Sequence, residues 1–175
     1  VEGLSALAQL LRRAGRLDES LGIYERFLGR APRSFAALHG KALTLALAGR
    51  HDQAVPCFEQ ALNVHQSSAE AWSNYALSLL ALRQFDACDE AHAAAIRLRP
   101  HDASLHLARA GSMTEAGRFE AALAAIAVAQ GLAPDSPEVR DRLARILNRK
   151  ASQALDHGQV EDGICCFRQL RAIAP

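Results

Sequence analysis

A chain of 175 residues with 20 basic and 19 acidic side chains carries a formal net charge of +1, so no overall field draws in nucleic acid or an anionic membrane. Half of its residues are hydrophobic but only 5% are aromatic, a balance that suits close helix packing better than a β-sandwich. No apolar stretch reaches the roughly 18 residues of a membrane span, and Cys57, Cys88, Cys165 and Cys166 lack the CxxC spacing of a zinc ribbon. Unpaired cysteines favour a reducing compartment. Lys occurs only at 41 and 150 among many Arg and Ala, as in a GC-rich bacterial genome, and Val1 stands where an initiator Met or signal peptide would be. The expectation is a bacterial, cytoplasmic chain, fragmentary or processed.

Two residue types mark off the chain like a ruler. Pro32, Pro100, Pro134 and Pro175 are separated by 68, 34 and 41 residues, and Gly15, Gly49, Gly117 and Gly158 by 34, 68 and 41. Both series share a period of 34 and the same seven-residue excess in the last interval. Gly suits the left-handed residue that ends a first helix and Pro stops a second, so each period is a helix, a tight turn and a helix. The repeats are residues 1–34, 35–68, 69–102, 103–136 and 144–175, with 137–143 as a helical insertion in a single array spanning 1–175.

In chain order, first helices are predicted near 2–14, 36–48, 70–82, 104–116 and 137–157. In the opening one, Leu4, Leu7, Ala8 and Leu11 share a face at the spacing of a packed helix. Leu38, Ala42 and Leu45 follow, then Trp72, Tyr75, Ala76 and Leu79, then Ala110 and Met113. The second helices carry Ser20, Tyr24 and Phe27; Ala54, Phe58 and Ala61; Cys88, His92 and Ala95; Ala122, Ile126 and Ala129; Gly163, Phe167 and Leu170. A small side chain lets the neighbouring backbone approach and a large one fills the gap beside it, so the repeats must stack to hide their apolar faces. Asp135 or Ser136 can cap the last first helix and Pro137 fits its opening turn. Its extra length predicts a protrusion or a change of pitch.

The run Trp72, Tyr75, Ala76, Leu79, Cys88, His92, Ala95 and Pro100 resembles the pattern of the tetratricopeptide repeat family. Lys41, Arg109 and Lys150 depart from it where Leu is usual, His106 replaces the Trp, and Arg83 and Gln66 replace the Gly and Pro of their repeats. The resemblance implies an all-α, right-handed α-solenoid of five tandem helix-turn-helix repeats, whose groove binds peptides or partner domains.

In such a stack the first helices line the groove with the stripe opposite their buried face. The candidate binding residues are Gln9, Arg12, His39, Leu43, Leu47, Ser73, Asn74, Leu77, Leu80, Leu107 and Thr114. Burying a Leu is worth roughly 1.5 to 3 kcal/mol, so Leu43, Leu77, Leu80 and Leu107 predict a cover: an amphipathic helix or apolar extended peptide from a partner or from the same protein. The alternative is that these leucines pack among themselves. Family members that grip a chaperone's C-terminal carboxylate use a Lys and Asn clamp, but His39, Leu43, Ser73 and Leu77 occupy the corresponding faces. Glycosyltransferases of the family carry an Asn ladder, of which Asn74 is a solitary candidate rung.

Signals for chemistry are few. Cys88 and His92 are four apart with His101 and His106 nearby, yet they fill the small and aromatic slots of their repeat, so packing rather than metal explains them, and His106 can hydrogen-bond His92. No GxSxG, HExxH or phosphate-cradling Gly loop occurs, and no cofactor or catalytic residue is expected. Arg140, Arg142, Arg145, Arg149 and Lys150 make the 137–157 helix basic, but Glu138 and Asp141 dilute the charge and no aromatics interleave, which reads as a solvated face rather than a nucleic-acid site. Cys165 and Cys166 offer oxidation sensitivity at most. Ile164 and Phe167 leave an uncapped apolar end, through which two copies could associate.

The leading expectation is a non-catalytic protein-binding scaffold. The substrate-recruiting arm of a larger enzyme, such as a glycosyltransferase, is a second, and a self-associating structural repeat a third.

Overall fold

The computed structural model describes residues 2–173, without the side chain of Glu2. In the described residues there are ten helices and no strands: α1 (Glu2–Arg13), α2 (Leu17–Arg30), α3 (Phe35–Leu47), α4 (His51–Val64), α5 (Ala69–Ala81), α6 (Phe85–Leu98), α7 (Ala103–Glu115), α8 (Phe119–Leu132), α9 (Pro137–Asp156) and α10 (Val160–Ile173). Pro175, the last marker of the Pro series, lies outside the described residues. The helices form two compact parts, Val1–Leu98 with α1 to α6 and Arg99–Pro175 with α7 to α10.

The odd-numbered helices from α3 onward begin on side-chain caps. Ser34 accepts from the Ala37 N–H at 3.4 Å, Ser68 from Ala71 at 3.2 Å, Asp102 from Ser104 at 3.0 Å and Ser136 from Val139 at 3.4 Å. Each satisfies one of the backbone donors that a helix start leaves open. The residues before α2, α4 and α8, Arg16, Arg50 and Arg118, give no such bond. At the turns, Gly15, Gly49, Gly117 and Gly158 hold φ between +73° and +76°, and Arg83 takes the same role at φ 58°. Glycine bears that conformation without a Cβ clash, whereas Arg83 does not.

Packing follows the alternation of small and large side chains. In the first part, Ala8, Tyr24, Phe27 and Ala37 form a buried cluster joining α1, α2 and α3, and Leu21, Ala42, Leu45, Ala54 and Phe58 join α2, α3 and α4. Ala76, Leu79, Cys88 and Ala91 tie α5 to α6. In the second part Ala110, Met113, Ala122, Ile126, Val139 and Ile146 bring α7, α8 and α9 together. Each large buried side chain contributes roughly 1.5 to 3 kcal/mol against the entropy of ordering the chain. Two small hydroxyls in these layers are bonded to nearby carbonyls: Ser20 donates to the Ala8 carbonyl at 2.8 Å and Thr44 to that of Gly40 at 2.8 Å.

One expectation about packing is corrected. Leu7 is 45% exposed rather than packed, because among the described residues α1 rests only on α2 and α3 and nothing lies against its outer side. The equivalent Lys41 has a second helix beside it and pairs with Glu25 at 3.1 Å. His106 pairs its Nε2 with the Pro100 carbonyl at 2.9 Å, at the turn that precedes its own helix.

The last first helix is long, as its sequence predicts. α9 has 20 residues against 13 in α3, α5 and α7, an excess of about two turns or roughly 10 Å. It packs on α7, α8 and α10. Lys150 meets Glu120 of α8 at 2.6 Å and Arg149 pairs with Glu115 of α7.

Candidate functional site

The sequence-predicted site residues separate into three groups once placed. Gln9, Leu47 and Leu77 are exposed, the two leucines at 61% and 46%. Arg12, His39, Leu43, Ser73, Asn74 and Leu80 are half-buried; Leu43 rests on the α2–α3–α4 cluster and Leu80 on the α5–α6 cluster. Leu107 and Thr114 belong to the second part. Leu107 is half-buried against the α7–α8–α9 cluster, and Thr114 is only 5% exposed, its hydroxyl given to the Ala110 carbonyl at 2.6 Å. Only part of the expected apolar stripe therefore faces water, and three of its leucines partly satisfy themselves by packing.

Within the first part, α1, α2, α3 and α5 bring together a polar group that the sequence did not announce. The Arg12 guanidinium of α1 stands beside the Tyr24 hydroxyl of α2 and near the His39 ring of α3, while Glu70 of α5 also acts on His39. Three buried atoms of this group, Arg12 Nε, Tyr24 Oη and His39 Nε2, have no hydrogen-bond partner among the described residues. Burial pushes the Tyr24 phenol upward, with the Arg12 charge opposing it. Burial also lowers the His39 pKa, Glu70 partly restores it, and Arg12 lowers it further, so the neutral ring is favoured. His39 is held flat by Phe35, with ring centroids 5.4 Å apart and 12° between planes, and is braced by Phe58 at 5.9 Å.

Buried polar atoms without partners each forgo about 1 to 3 kcal/mol, a local cost set against the packing of the surrounding rings. Sequence reasoning named Arg12 and His39 but missed Tyr24, which reads as an ordinary core aromatic. Its signal is Gly40, in the next repeat, whose missing side chain makes room for the phenol.

A second cleft in the first part, about 490 Å³, opens over α5 between α4 and α6. Trp72 and Tyr75 meet edge to face at 6.1 Å in its wall, and Tyr75 donates to Glu59 at 2.9 Å; burial first, and then this bond, push its phenol up to about 12. Trp72 is tied down by its indole N–H, which donates to the Gln66 carbonyl at 2.9 Å. No group of three or more His, Cys, Asp or Glu able to hold a metal ion occurs among the described residues, and none of the described helices is long and apolar enough to cross a membrane. Of the last two cysteines, Cys165 is exposed and Cys166 buried.

The family model described as the tetratricopeptide repeat matches residues 5–56, 48–87 and 76–137, together most of the chain. The chain belongs to the tetratricopeptide repeat family. MamA residues 41 to the end from Desulfovibrio magneticus RS-1 is similar in fold, with a TM-score of 0.77 at 16% identity over 98% of this chain and 93% of that one. YrrB, a tetratricopeptide protein with an unusual peptide-binding site, gives 0.75 at 17% identity over 98% and 85%. TTC0263, a thermophilic tetratricopeptide protein of Thermus thermophilus, gives 0.67 at 23% identity over 99% and 91%. No curated protein matches the chain. These likenesses carry the all-α tetratricopeptide solenoid fold through α9 and α10, most of which the family model does not reach.

Proposed function

We propose that this tetratricopeptide chain is an interaction scaffold whose α1–α3–α5 face holds a segment of another polypeptide, and that it performs no chemistry itself. The observation that carries the reading is the pair of exposed leucines on α3 and α5, Leu47 and Leu77. A bound segment would lay apolar side chains on Leu47 and Leu77 and bring an oxygen acceptor to the part-exposed Arg12 side chain. Gln9, Ser73 and Asn74 would provide polar contacts at its margins. That YrrB is described as having a peptide-binding site supports the class of guest and not its identity. In this reading the five helix pairs form one array in which 137–143 is an added stretch.

The test is capture of partners by the wild-type chain and by two variants, Leu47→Ser with Leu77→Ser and Arg12→Gln. A polypeptide held by the wild type and lost by both variants supports the face. Equal recovery by all three ends the proposal.

A further inference from the structure

α9, which outruns the other odd-numbered helices, holds a feature the peptide-binding face does not use. Arg142, Arg145 and Arg149 follow at intervals of three and four, which sets them on one side of the helix. With Asn148 they line a cleft of about 260 Å³ against α7, whose floor is Gly111.

Gly111 gives Arg142 its seat. A Cβ at 111 would lie 2.7 Å from one terminal guanidinium nitrogen of Arg142, so any larger residue pushes that group aside. Arg149 is neutralised by Glu115, the one acid in the cleft. The side chains of Arg142 and Arg145 make no hydrogen bond or ion pair with the described residues, unlike those of Arg149 and Lys150. Like charges three and four apart on a helix oppose its stability; here Arg142 is half-buried against Gly111 while Arg145 stands exposed at the mouth of the cleft. Thr114, also in the wall, has already committed its hydroxyl to Ala110. What remains are two guanidinium forks and one side-chain amide, all able to donate.

We propose that this cleft binds the carboxylates of an acidic peptide segment, rich in Asp or Glu, from a partner protein. A guanidinium matches a carboxylate with two parallel N–H···O bonds, and two such forks beside Asn148 fit neighbouring acidic side chains. No aromatic ring lines the cleft to stack a base, which sets it apart from a single-stranded nucleic-acid channel. The site lies on α7 and α9 and stands or falls independently of the α1–α3–α5 face.

The test is fluorescence anisotropy of a labelled oligoglutamate peptide, with oligoglutamine and oligouridylate as comparison probes. Oligoglutamate binds the wild type with an affinity that falls as salt rises, and oligoglutamine does not. Arg142→Gln with Arg145→Gln weakens binding by about tenfold or more, the loss expected when charge-assisted bonds are removed. Gly111→Ala weakens it severalfold without lowering the melting temperature, because the displaced atom is the far end of a flexible side chain and Ala is the better helix former. Arg26→Gln with Arg30→Gln on α2 removes the same charge elsewhere and changes the affinity by less than about twofold. The proposal is overturned if the wild type ignores oligoglutamate, if it takes oligouridylate as tightly, or if the α2 pair of substitutions costs as much as the α9 pair.

Discussion

The Tyr24 ring lies so close over Gly40 that a Cβ at position 40 would stand 2.4 Å from both its Cζ and its hydroxyl oxygen. Tyr24 is almost wholly buried and cannot swing clear without opening the α1–α2–α3 cluster. Gly40→Ala therefore destabilises the chain by about 1 to 3 kcal/mol despite the better helix propensity of Ala, and thermal or urea unfolding checks it. Tyr24→Phe removes a hydroxyl that has no acceptor and changes stability by less than about 1 kcal/mol. Combined with Gly40→Ala, it recovers part of the loss, since one of the two nearest atoms is gone.

Arg83 occupies the left-handed turn position that Gly fills in four other places. A side chain there costs roughly 1 to 2 kcal/mol, offset in part by the greater freedom of an unfolded Gly and by the Arg83 guanidinium 5.2 Å from the Phe85 ring centre. Arg83→Gly is expected to stabilise by less than about 1 kcal/mol. The reverse change at an equivalent turn, Gly49→Arg, destabilises by about 1 kcal/mol or more. The pair of unfolding curves tests both signs.

His39 couples stability to pH. Its folded pKa lies below the ordinary 6.5, so as pH falls the unfolded chain takes up the proton first. The stability linked to this ring is fully present above about 6.5, declines as pH drops from there to the folded value, and is level below it. Wild type should lose more stability than His39→Gln on acidification through that window. Melting of both proteins at a series of pH values measures the difference, in which the other titrating groups cancel.

Leu47 and Leu77 expose about half of their surface, so covering both with a guest is worth roughly 1 kcal/mol each. Changing both to Ser should weaken a captured partner by roughly tenfold to fiftyfold, read by titration calorimetry, with little effect on unfolding. Leu43→Ser and Leu80→Ser should instead lower stability by about 1 kcal/mol or more, because those side chains also pack on the core.

Local chain chemistry was easy to read and the site was not. Gly and Pro act on their own backbone, so their spacing located every turn, and the predicted first helices agree with α1, α3, α5, α7 and α9 to within about a residue at each end. Which side of a helix faces water depends on what stands next to it. Leu7 occupies a packing position in the periodic pattern and is exposed because α1 lacks a neighbour there; Thr114 occupies a groove position and is buried because its own helix carbonyl takes its hydroxyl. The Arg12, Tyr24 and His39 group joins three helices, and no spacing rule connects them. In sequence Arg142 belongs to a solvated face, because the space at Gly111 that receives it lies on another helix.

The capping asymmetry has a kinetic corollary. A first helix that opens on Ser34, Ser68, Asp102 or Ser136 has its start fixed by neighbours in sequence, whereas α2, α4 and α8 must wait for tertiary contacts to define theirs. Amides in the opening turns of α2, α4 and α8 should exchange with deuterium sooner than those of the capped helices, so that hairpins come apart from one strut rather than both at once.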